Sequence, residues 1–107
     1  MRISIKGIGV LGGFGAGLAK LEQALIHHKT PTDNVQIVTT RGQVRLPALL
    51  ADTSDLYAFL NKRDLRRTDR YIQMALLASY YALEDAVMLT LKRRRMGIIV
   101  ATGYGST

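Results

Sequence analysis

The sequence predicts an α/β fold from three observations. Ile3 and Ile5 alternate with Arg2, Ser4 and Lys6 just before a run of glycines, the pattern of a half-covered strand. Residues 69–86 form a long apolar stretch with neither Gly nor Pro, the pattern of a helix. Met96 to Ala101 is a short apolar run of the kind found in strands covered on both faces of a mainly parallel sheet. Strand, helix, irregular cap, helix and strand in that order make one α/β unit, and 107 residues with 48% hydrophobic content suit one small globular domain.

The first strand continues through Ile8 and Val10, after which glycines at 12, 13, 15 and 17 make the backbone permissive. A helix follows from about Gly17 to His28, because Leu18, Leu21 and Leu25 recur at helical spacing with Lys20, Glu22 and Gln23 opposite. Thr30-Pro31 is expected to stop it, since a residue before proline is pushed out of the helical region. Residues 31–64 show weak periodicity and read as a cap. It contains a short strand at Val35 to Thr39, a turn at Arg41-Gly42 before Pro47, and a short helix around Ser54 to Asn61.

The helix of residues 69–86 has Thr68 or Asp69 as its cap and is apolar around most of its circumference, which predicts burial on several sides. Ala75, Ala78, Ser79, Ala82 and Ala86 fall at i, i+3, i+4, i+7 and i+11. That stripe of small residues lets another helix or a sheet approach closely. So apolar a helix needs layers on both sides, and the remaining residues supply few. The strand of 95–105 runs into Gly103-x-Gly105 with two residues left, so the chain is expected to be incomplete. Unpaired strand edges and bare apolar helix faces predict aggregation of the isolated piece.

Fifteen Lys and Arg against eight Asp and Glu give a net charge of +7, which implies an acidic partner. The charge is local. Lys62, Arg63, Arg66, Arg67 and Arg70 form one cluster and Lys92 to Arg95 another, while the first sixty residues are nearly balanced. The first cluster lies before and within the first turn of the long helix, where the helix dipole disfavours cations. Two readings stay open there: a solvated loop partly neutralised by Asp64 and Asp69, or a surface pairing guanidinium groups with phosphate or carboxylate. For Lys92 to Arg95 a solvated turn is the expectation.

The chain contains no cysteine, hence no disulfide, thiolate metal site or cysteine nucleophile within these residues. Gly7-Ile8-Gly9-Val10-Leu11-Gly12 matches G-x-G-x-x-G, but the extra glycines prolong the loop and Asp33 precedes the next strand instead of ending it. A tight strand-to-helix turn is therefore preferred over a cofactor cradle. His27 and His28 are neighbours on a helix end, diverge by about 100° and share no metal; they are placed to interact with the helix C-terminus. Asp52, Asp55, Glu84 and Asp85 read as cap and surface carboxylates. No catalytic set, metal site or cofactor is assigned, and no apolar stretch reads as a membrane span or secretory leader, so the expectation is a cytoplasmic protein.

Taken together, four segments resemble the N-terminal quarter of a β-ketoacyl-acyl carrier protein synthase of the ketosynthase I/II type, in the thiolase superfamily. They are Ile8 to Leu11, Leu65-Arg66-Arg67-Thr68-Asp69-Arg70-Tyr71-Ile72-Gln73-Met74-Ala75, Ala82 to Ala86, and Gly97 to Gly105. The resemblance implies the start of a thiolase-like α/β/α/β/α fold, with residues 1–107 a partial N-terminal ketosynthase domain. Its parts would be a strand and helix at 1–28, a cap at 31–64, the buried helix at 69–86, and a strand and glycine loop at 95–105. It further implies decarboxylative condensation of acyl and malonyl thioesters on an acyl carrier protein, by a cysteine and two histidines that lie downstream in the family, so that these 107 residues are inert alone. The complete protein would be a homodimer or heterodimer.

Two site assignments follow from the resemblance. Arg63, Arg66 and Arg67 match basic positions that meet the carrier protein. Tyr104 matches a commonly apolar position at the acyl pocket, with the dimer interface as the other place for its side chain. Ala101-Thr102 stands where Gly-Ser is frequent and Ser106 where glycine is common, so fatty acid, polyketide, aryl-polyene and chain-length-factor types all stay open. A different class is a small basic nucleic-acid-binding protein. Against it stand the lack of a readout motif, an aromatic content of 7%, and a principal helix too apolar for a groove.

Overall fold

The computed structural model describes residues 1–30, 33–89 and 95–103. They divide into two compact units, Val10–Asp52 and a second made of Met1–Gly9 with the described residues from Thr53 onward.

The unit Val10–Asp52 opens with a miniature antiparallel ribbon of β1 (Leu11–Gly12) and β2 (Gly15–Ala16), pairing Leu11 with Ala16 and Gly12 with Gly15. Gly15 and Gly17 take φ of 121° and 92°, values that side chains disfavour, and Gly17 donates its N–H to the Val10 carbonyl at 2.9 Å. Gly17 also caps α1 (Leu18–Ile26), which begins where the sequence predicts. Its end differs. His28 adopts φ 48°, and the Lys29 N–H reaches back to the Ala24 carbonyl at 3.0 Å, so a left-handed residue stops the helix before the proline can.

The cap region holds one strand more than expected. β3 (Asp33–Thr39) pairs antiparallel with β4 (Gly42–Ala48) in register from Asp33–Ala48 to Thr39–Gly42. The turn is closed by Gly42 at φ 118°, with the Thr39 hydroxyl donating to the Gly42 carbonyl at 2.8 Å. Alternation places Val35, Ile37, Val44 and Leu46 on one face and Gln36, Gln43 and Arg45 on the other, where the Gln36 amide donates to Gln43. Pro47 is tolerated because a two-stranded ribbon leaves each strand a free edge.

In the second unit a 3-10 turn (Ser54–Ala58) and two helices, α2 (Lys62–Leu65) and α3 (Arg70–Asp85), gather around Leu56, Leu65 and Leu77. Phe59 stacks on Tyr80 with ring centroids 4.6 Å apart, and the Tyr81 hydroxyl donates to the Asp55 carboxylate at 2.7 Å, fixing the turn against α3. The α3 start follows expectation: the Asp69 carboxylate accepts the Ile72 N–H at 2.9 Å.

α3 ends on Val87 at φ 56°, with Val87 N–H to Glu84 at 3.0 Å and Met88 N–H to Leu83 at 2.8 Å. This is a Schellman closure with a β-branched residue in the seat glycine prefers. Left-handed backbone costs about 1–2 kcal/mol for an L-residue, while glycine loses back about 0.5–1 kcal/mol in chain entropy. Val87→Gly is expected to raise stability by about 1 kcal/mol, read as a higher urea midpoint at unchanged slope.

α3 is left as bare as the shortage of covering layers predicts, and two expected strands form no ladder. α3 is half-buried over most of its length, and Leu77 is its fully enclosed residue, because no second layer covers it among the described residues. Residues 2–10 and 96–101, expected as strands, form no ladder except at Leu11–Gly12 just beyond the first; Ile3 is 88% and Ile99 98% exposed. Local alternation gives strand character, but a ladder needs a partner for its N–H and C=O groups.

Candidate functional site

The basic cluster is presented by α2 and the bend after it. Leu65, 6% exposed, anchors that short helix, and the Asn61 side chain caps it by accepting the Asp64 N–H at 2.9 Å. The bend is tied down by polar contacts. Thr68 donates its N–H and its hydroxyl to the Leu65 carbonyl at 3.2 and 2.8 Å. The Gln73 amide donates to the Thr68 carbonyl at 3.3 Å and accepts from the Thr53 hydroxyl at 3.5 Å. Gln73 thus links α3, the bend and the segment before the 3-10 turn, a role the sequence pattern alone does not single out.

On this support Arg63, Arg66 and Arg67 are all exposed and, with Asp64, line an open recess of about 460 Å³. Residues 63, 66 and 67 stand three and four apart, which brings them to neighbouring positions on one side of a helical turn. The structure therefore brings together the three residues expected at a docking surface. Asp69 is committed to capping α3, so of the two carboxylates expected to neutralise the cluster it is Asp64 that sits within the recess. Three guanidinium groups around a recess can receive carboxylates or phosphates by paired hydrogen bonds. Beside them, the Lys62 ammonium lies 6.0 Å from the centroid of the Tyr57 ring, a contact not anticipated from the sequence.

The glycine motif has a packing role. A Cβ on Gly7 would fall 2.8 Å from the Ala86 Cβ and 2.7 Å from its N, and one on Gly9 would fall 2.6 Å from the Ala82 N. Among the described residues, the small-residue stripe of α3 is therefore met by glycine backbone at Ala78, Ala82 and Ala86, and the Asp85 carboxylate accepts the Ile8 N–H at 2.9 Å. Gly7 and Gly9 are required by this close approach, which accounts for them without a pyrophosphate. His27 caps the end of α1 and His28 is its left-handed terminator.

Tyr104 and the basic residues Lys92 to Arg94 lie outside the described residues. Among the described residues no group of three His, Asp or Glu could hold a metal ion, and no helix is long and apolar enough to cross a membrane.

No protein-family model matches the chain, and no solved structure matches it. Three curated proteins do. The chain is similar to a putative polyketide β-ketoacyl synthase 1 of Streptomyces halstedii, 32% identical over 111 residues, covering 99% of this chain and 26% of that protein. It is similar also to the 3-oxoacyl-[acyl-carrier-protein] synthases 2 of Vibrio harveyi, 25% identical over 107 residues, and of Vibrio cholerae, 26% identical over 106 residues; each match covers 97% of this chain and 26% of the relative. The chain spans about a quarter of the length of these relatives. Over nearly its whole length, then, this mixed α/β chain is similar to part of a ketosynthase-type condensing enzyme.

Proposed function

We propose that the chain is the N-terminal quarter of a β-ketoacyl synthase, and that Arg63, Arg66 and Arg67 form the edge on which an acyl carrier protein docks. The carrying observation is that the similarity to three synthases runs over 97% or more of the chain. One further feature supports the reading: the three arginines are exposed and gathered on one recess. In the complete protein, a cysteine beyond these residues accepts the acyl group. Loss of carbon dioxide from a malonyl thioester then generates the carbanion that attacks the acyl carbonyl and expels the cysteine thiolate.

The test begins with the intact mass of the native product, followed by condensation assays with acyl and malonyl thioesters on a purified holo acyl carrier protein. A mass several-fold above 11.8 kDa, with condensation abolished by thiol alkylation, is the expected result. Carbon dioxide release without condensation would point instead to a partner subunit of the chain-length-factor type. A folded, soluble 11.8 kDa product that binds no carrier would overturn the proposal, and its affinity for nucleic acid would then be measured.

A further inference from the structure

We draw no further inference here: the strongest candidate, the apolar groove of about 650 Å³ that Leu83, Ala86 and Met88 at the end of α3 form with Ser4 to Gly7 and Met96 to Ile99, is an unpartnered face, and nothing in the structure shows what covers it.

Discussion

Reversal of Arg63, Arg66 and Arg67 to Glu is expected to slow association of the complete protein with an acyl carrier protein by about a hundredfold at low ionic strength. The three residues gather on one recess of α2 and the bend after it, so their fields add at one place on the surface. Steering by such a cluster raises encounter rates about 10- to 1000-fold, and reversal turns attraction into repulsion of the same reach. The effect belongs to the association rate. It should shrink as salt rises, because a Debye length of about 10 Å at 0.1 M screens the approach but not the final contact. Asp64 provides an internal check of sign. It lines the same recess with opposite charge, so Asp64→Asn is expected to raise the association rate modestly, and a rate that falls would show that local folding of α2 had been disturbed. Stopped-flow association at several salt concentrations reads both. Equal rates for wild type and the triple variant at low salt would remove this surface from carrier recognition.

How much of this was legible in the sequence depends on whether the cause was local. Asp69 as cap, α3 free of Gly and Pro, and Gly17 opening α1 are local causes, and each element stands where its residues predict. The arginine cluster was legible for the same reason: residues 63, 66 and 67 share one side of a turn whatever surrounds them. β4 was not, because Arg45 and Pro47 interrupt a strand pattern whose apolar face, Val44 and Leu46, is only half covered. His28 and Val87 were missed as helix terminators since the left-handed seat ordinarily goes to glycine. Tyr57 against Lys62 depends on how the 3-10 turn meets α2, a tertiary relation without a sequence signature. Residues 96–101 carry strand composition with no ladder. The same composition serves a strand only when another chain segment offers its edge.

Gly9→Val is expected to destabilise the unit that holds α3 by about 1–3 kcal/mol, the range for forcing methyl groups into a filled contact. Gly9 lies against the α3 backbone at Ala78 and Ala82, where a Cβ would fall 2.6 Å from the Ala82 N. A flexible side chain could move aside; helix backbone cannot without breaking its own hydrogen bonds. The segment must therefore withdraw from α3, and the Ile8 N–H at Asp85 is lost with it. Gly17→Val offers a contrast at a glycine where a Cβ would meet nothing within 4 Å, but φ 92° makes the backbone itself the obstacle. The two substitutions should differ in where amide exchange rises: along Ile8 and the C-terminal half of α3 for Gly9→Val, at the start of α1 for Gly17→Val. A Gly9→Val protein with wild-type urea midpoint and unaltered exchange at Ile8 would mean that the small-residue stripe of α3 receives something other than this segment. A pyrophosphate reading of the glycines would then have to be tested directly, by nucleotide binding.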